Sequence, residues 1–166
     1  MPIALRIENL WKSYSAGVRG CSVRVWALRG CSLSVELGER VAIVGARSSG
    51  KTTLFQCIAG ARRADAGHID VVLPIRCCFA TPQVHTDRVA WMTGQALLLL
   101  DGPDASVPQR GWPGSALIAS RDVASVHHLV DRVMLLRDGR LSMLTRTAVR
   151  RVAERSLAPV GGTIVR

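Results

Sequence analysis

At 166 residues, with 48% hydrophobic and 20% charged residues, the chain is long and apolar enough to bury one domain-sized core, which sets aside disordered, collagen-like and coiled-coil compositions. Its 22 Lys and Arg against 12 Asp and Glu leave a formal charge of +10; this invites an anionic partner, although a solvated basic face accounts for it as well. The longest apolar run, Ala96 to Leu100, falls far short of the roughly 20 residues that span a bilayer, and the first ten residues lack the apolar stretch of a secretory signal, so the expected address is the cytoplasm.

Strands are expected at Ile3 to Ile7, Val23 to Leu28, Ser32 to Glu36 and Arg40 to Val44, with Gly38 as a turn. From Lys51 to Ala59 the apolar spacing becomes helical, with Leu54, Cys57 and Ile58 on one face and Gly60 as the stop. Further strands are expected at Ile69 to Leu73, Ile75 to Phe79 and Ala96 to Leu100, with a short helix over Asp87 to Met92. The last of these strands is wholly apolar, as suits a strand covered on both faces of a parallel sheet. Gly102 to Gly114 reads as loop, Ala116 to Ala119 as strand and Asp122 to Val130 as helix. Asp138-Gly139 then joins Arg132 to Leu136 and Arg140 to Leu144 in a hairpin. Thr145 to Arg155 reads as a basic amphipathic helix, whose Arg146, Arg150, Arg151 and Arg155 are read as a solvated face in preference to a contact with an anionic surface. The five cysteines, Cys21, Cys31, Cys57, Cys77 and Cys78, are odd in number and lack a C-x-x-C pair, which fits reduced thiols better than disulfides or a zinc site. The neighbours His127 and His128 lie on the expected helix, where side chains at i and i+1 diverge, so metal ligation is not expected there.

One motif carries chemistry. Gly45-Ala46-Arg47-Ser48-Ser49-Gly50-Lys51-Thr52 satisfies G-x-x-x-x-G-K-S/T between an expected strand and an expected helix. The glycines let backbone amides turn inward toward phosphate oxygens, and the helix adds its positive end. Lys51 is positioned to reach the β- and γ-phosphates, and the Thr52 hydroxyl to ligate Mg²⁺. Lysine occurs at only two positions, 12 and 51, in a chain that otherwise uses Arg; a compact point charge is what the loop requires. A second element is the apolar strand ending at Asp101, a carboxylate suited to stand beside Mg²⁺.

Together these residues resemble the ATP-binding subunit of ATP-binding cassette (ABC) transporters, with gaps, from Leu5 to Leu144. Arg6 to Tyr14 is similar to that family's opening strand and aromatic loop. Ala27 to Leu33 and Gly38 to Gly45 resemble the approach to its phosphate loop, and Thr52 to Leu54, Ile58 to Gly60 and Asp65 to Gly67 continue it. Leu97 to Asp101 with Pro103 looks like its second nucleotide motif, and Asp131 to Leu141 like its late hairpin. The resemblance implies an α/β fold: a P-loop core with a mostly parallel central sheet flanked by helices, an N-terminal antiparallel portion, and a helical signature subdomain largely missing. It implies one domain, divided into an antiparallel part (1–37), the core (38–145) and a C-terminal helix and tail (146–166). It implies ATP and Mg²⁺ as cofactors, with Gly45 through Thr52 and Thr53 around the phosphates and Tyr14 stacked on adenine, Trp26 being the less favoured substitute. Thr52, Asp101 and Gln83 would face the metal.

The departures from the family pattern are as informative. Gly102 stands where the family has its catalytic glutamate and Arg121 where it has its switch histidine. No L-S-G-G-Q signature occurs, and Met92-Thr93-Gly94-Gln95 keeps at most a remnant of it. Gln83 lies 18 positions before Asp101, too few for the helical subdomain. The expected function is therefore Mg·ATP binding with slow or absent hydrolysis, no catalytic residue being assigned. A membrane permease or another ABC subunit is the implied partner, with placement at the inner face of the membrane; no nucleic acid is expected. Two alternatives remain: a small P-loop kinase of a metabolite, against which the 44 residues before the loop argue, and a basic nucleic-acid-binding module, which rests on charge alone.

Overall fold

The structure is a computed structural model that describes residues 2–18, 21–79, 96–101 and 114–157. Among them the order is β1 (Ile3–Val18), β2 (Cys21–Glu36), β3 (Arg40–Val44), α1 (Lys51–Ile58), β4 (Ala66–Val71), β5 (Ile75–Phe79), β6 (Leu97–Asp101), β7 (Ser115–Ser120), β8 (Arg132–Arg137), β9 (Arg140–Met143) and α2 (Arg146–Leu157). They build an antiparallel sheet, β2-β1-β4, and a six-stranded sheet, β5-β6-β7-β3-β8-β9. All pairings in the second are parallel except β8 with β9. This is the α/β class expected.

Alternation along the strands sorts the core. Val41, Ile43, Leu97, Leu99 and Leu117 face the antiparallel sheet, meeting Leu5, Ile7, Leu10, Leu28, Leu33 and Val35, and α1 with Leu54, Phe55 and Ile58. Ala42, Val44, Leu98, Leu100, Ala116 and Ile118 face the other way, against Val123, Val126 and, from α2, Val149. Both faces are covered, which is why β6 could be apolar at every position from Leu97 to Leu100. Removing a side chain as large and as fully buried as Phe55 costs about 3–5 kcal/mol.

Four expectations are corrected. The short strand at Ile3 to Ile7 runs on to Val18, and the two segments Val23 to Leu28 and Ser32 to Glu36 are one strand, β2. Gly30 joins them: its φ of +68° places it as the extra residue where Leu10 pairs Cys31 and Trp11 pairs Arg29, a bulge that bends the strand without ending it. The strand expected at Ile69 to Leu73 starts earlier, at Ala66, because it completes the antiparallel sheet beside β1.

Asp122 to Val130 is a series of turns, not a helix. The Asp122 carboxylate accepts the amides of Ala124 and Ser125, and the bonds beyond it mix i−3 and i−4 acceptors. In consequence the His127 and His128 rings do not diverge; they meet edge to face, 5.5 Å between centroids. The Asp138-Gly139 hairpin is as expected, with φ of +50° and +75°, the paired left-handed residues of a two-residue turn. The helix expected over Asp87 to Met92 and the loop from Gly102 to Gly114 lie outside the described residues, apart from Gly114 itself.

Candidate functional site

β3, β6 and β7 are neighbours, and their carboxyl ends deliver the candidate residues to one edge of the sheet. The loop 45–50 leaves β3, Asp101 ends β6 in register with Ala119, and Arg121 follows the last residue of β7, Ser120, which is in register with Val44. The Gly45 amide donates to the Ser120 carbonyl at 3.2 Å, which fastens the start of the loop to β7. Ligands in open parallel sheets sit outside such carboxyl ends.

The loop's shape follows from its glycines. Gly50 has φ +106° and is the N-cap of α1; a β-carbon there would lie 2.4 Å from the Ala27 carbonyl oxygen. One at Gly45 would lie 2.3 Å from the Leu136 carbonyl oxygen. Ser49 closes an inner turn by donating its amide to Ala46 at 3.3 Å. The amides of Ala46, Arg47, Ser48, Gly50, Lys51 and Thr52 find no acceptor among the described residues. Six peptide donors therefore cluster at a helix amino end, which is an anion cradle.

Lys51 reaches back into this loop. Its Nζ donates to the carbonyls of Gly45 and Ala46, each at 2.7 Å, and to Ser49 Oγ at 3.2 Å. Desolvation pushes its pKa below that of an ordinary lysine; the charge of Asp101 opposes this and that of Arg121 adds to it. The amide array and the folded-in ammonium fit a polyphosphate, while Thr52, exposed, and Asp101, half-buried, are the oxygen donors available for Mg²⁺. No group of three or more His, Cys, Asp or Glu residues suited to a metal occurs among the described residues. Gln83 and Gly102 lie outside them.

Tyr14 stands over the first turn of α1. Its hydroxyl is 3.2 Å from Thr53 Oγ1, and the Arg62 guanidinium and Lys12 ammonium lie 5.5 and 5.8 Å from its ring centroid. Trp26 is elsewhere, in an open cleft of about 490 Å³ with Trp11, Ser13, Ser15 and Arg24, its ring edge to face with Trp11 at 5.4 Å. Sequence reasoning missed two parts of this region. Arg62 showed no signal, and the clamp in which Asp65 accepts from Lys12 Nζ at 2.8 Å, the Ser13 amide at 2.7 Å and the Ser13 hydroxyl at 2.6 Å joins residues more than fifty positions apart.

Residues 28–74, which hold the phosphate loop and α1, match the profile of the family described as ABC transporter. The zinc import ATP-binding protein ZnuC of Jannaschia sp. is 31% identical over 130 residues, 78% of this chain and 47% of that protein. The lipoprotein-releasing system ATP-binding protein LolD of Saccharophagus degradans is 43% identical over 65 residues, 39% of this chain and 27% of that protein. The chain thus spans less than half the length of these curated relatives. Among solved structures, the ADP conformation of MJ1267, an ATP-binding cassette of an ABC transporter, has the same fold, with a TM-score of 0.67 at 16% identity over 93% of this chain and 96% of that one. No helix among the described residues is long and apolar enough to cross a membrane.

Proposed function

We propose, for a chain that belongs by sequence and fold with the ABC transporter ATP-binding subunits, that its phosphate loop binds the polyphosphate of ATP and that turnover is slow or absent. The observation that carries the reading is the cluster of unengaged amides of Ala46, Arg47, Ser48, Gly50, Lys51 and Thr52 with the Lys51 ammonium folded among them. Gly45 through Thr53 would surround the phosphates, Tyr14 would stack on the base, and the Thr52 hydroxyl, Asp101 and Gln83 would hold Mg²⁺. When bound, the metal supplies charge neutralisation for the phosphate oxygens.

Slow turnover is proposed from the residues at two positions that the family resemblance picks out. Gly102 cannot accept a proton from water, and general-base assistance is typically worth about 10²- to 10⁴-fold in rate. Arg121 replaces a group that could exchange protons near neutrality with one that stays charged. A permease or a second ABC subunit is the proposed partner. Titration with fluorescent ATP, with and without Mg²⁺, should saturate for the wild type and fail for Lys51→Ala. Multiple turnover at the rate of an ordinary ATPase, abolished by Lys51→Ala, would show that the second half of the proposal is wrong.

A further inference from the structure

We infer that the open cleft holding Trp11 and Trp26 is a second binding site, separate from the phosphate loop, and that it takes a small aromatic carboxylate. Alternation along the first hairpin assembles it. Ser13 pairs with Trp26 and Ser15 with Arg24, so Trp11, Ser13 and Ser15 of β1 share one face with Trp26 and Arg24 of β2. Tyr14 and Leu28 turn to the other face, toward α1. The pairing of β4 with β1 stops at Trp11, opposite Ala66, and Asp65 next to it lines the same cleft.

The aromatic walls are fixed in advance. Trp11 Nε1 donates to Asn9 Oδ1 at 2.8 Å, and Asn9, at φ +47°, is held in turn by its amide's bond to Ser32 Oγ at 3.0 Å. The Trp11 ring lies over Gly30, where a β-carbon would come within 3.3 Å of it. It meets the Trp26 ring edge to face with the planes 79° apart, so the two half-buried indoles make a corner in which a planar ring can lie against one and abut the other. At about 490 Å³ the cleft has the size of a small-molecule site. The polar groups decide the ligand's charge. The exposed Arg24 guanidinium lies 5.8 Å from the Trp26 ring centroid, and among the described residues no carboxylate pairs with it. Asp65, the one carboxylate lining the cleft among those residues, already uses both oxygens on Lys12 and Ser13. An uncommitted cation beside two aromatic faces, with the single negative charge neutralised, selects an anionic aromatic ligand over a neutral or cationic one.

The test titrates naphthalene-2-carboxylate calorimetrically into the full chain, with naphthalene-2-carboxamide and cyclohexanecarboxylate as its uncharged and non-aromatic counterparts. The naphthoate is expected to bind with a Kd of about 1 mM or tighter, and each counterpart about fivefold more weakly or worse. Arg24→Gln, a change at an exposed side chain, should erase the preference for carboxylate over carboxamide, and Trp26→Leu should weaken both aromatic ligands about fivefold. Unchanged circular dichroism and melting temperature separate binding from folding. Lys51→Ala should bind naphthoate as the wild type does, whether or not ATP binds, which keeps the outcome independent of the phosphate-loop reading. Absence of naphthoate binding by the wild type overturns the inference, as does equal affinity for carboxylate and carboxamide. Binding that ignores both Arg24→Gln and Trp26→Leu, or that is lost in Lys51→Ala, puts the ligand elsewhere and overturns it too. Displacement of naphthoate by a short oligothymidylate at far lower concentration would make the cleft a nucleic-acid surface and overturn the proposed ligand class.

Discussion

The Tyr14 hydroxyl lies 3.2 Å from the Thr53 hydroxyl, a bond across 39 positions that ties the antiparallel sheet to the first turn of the phosphate-loop helix. The hydroxyl thus serves the fold, and the proposed base stacking falls to the ring alone. Tyr14→Phe should therefore change adenine-nucleotide affinity by no more than about threefold, with roughly 1 kcal/mol lost from stability. Tyr14→Ala should weaken ATP binding about tenfold and leave tripolyphosphate binding unchanged. Equal losses for both ligands in the titration would show that Tyr14 shapes the loop and touches no base.

Gly50 tolerates no side chain on two separate grounds, its φ of +106° and the 2.4 Å approach of the Ala27 carbonyl to a β-carbon. Backbone strain of this kind costs on the order of 1–3 kcal/mol, and the steric overlap with β2 adds to it. Gly50→Ala should lower the urea midpoint by an amount equivalent to about 2 kcal/mol or more and weaken nucleotide binding as well. The same substitution at Gly38, also at positive φ but with nothing within 4 Å of the added carbon, should cost less. Similar costs at the two positions would mean that conformational strain alone, without the clash against Ala27, sets the penalty.

How far the sequence could be read depended on the range of the forces that fix each element. β3, β5 and α1 were legible because each is specified by its own apolar pattern or by the loop motif, and the Asp138-Gly139 turn because its chemistry is local. The continuity of β2 through Gly30 was not, since a glycine among polar neighbours reads as a break until the partner strand supplies Leu10 and Trp11 on either side of the bulge. The turns after Asp122 misled for the opposite reason: apolar residues recur at helical spacing, but Asp122 and Ser120 compete locally for the backbone amides that a helix would use. At the site, Lys51, Thr52 and Asp101 came from motifs. The Gly45 bond to Ser120 and the packing of Arg62 on Tyr14 exist only once distant strands are brought together.

Glu39 and Arg132 clasp the amino ends of the neighbouring strands β3 and β8, the end of the sheet opposite the site. Arg132 Nε lies 2.9 Å from Glu39 Oε1 and its terminal nitrogen 3.1 Å from Oε2, while the same guanidinium donates to the Ser34 carbonyl of β2. Both side chains are mostly buried, 28% and 17% exposed, so removing one strands the other. Glu39→Ala should cost about 2 kcal/mol after allowance for the exposed fraction, and the double variant with Arg132→Ala should cost clearly less than the sum of the singles. Additive losses in chemical denaturation would reduce the pair to two unrelated contacts.

Asp65 gives the fold a defined response to acid. The Lys12 ammonium, then the Ser13 hydroxyl and amide, hold its carboxyl far below the usual carboxylate range. A carboxylate with a lower pKa folded than unfolded stabilises the protein while it is ionised in both states, and that contribution fades as protons bind the unfolded chain more readily than the native one. The contribution is complete above the unfolded value of about 3.9 and is lost progressively as pH falls below it toward the depressed folded value. Asp65→Asn should accordingly unfold at lower denaturant than wild type at pH 7, and the two midpoints should draw together as the pH is taken from 5 toward the acid end. Because the clamp also positions Lys12 beside Tyr14, the variant should lose adenine-nucleotide affinity more than tripolyphosphate affinity at neutral pH. A midpoint difference that stays constant down the whole acid range would mean that Asp65 acts through packing and neutral hydrogen bonds, not through its charge.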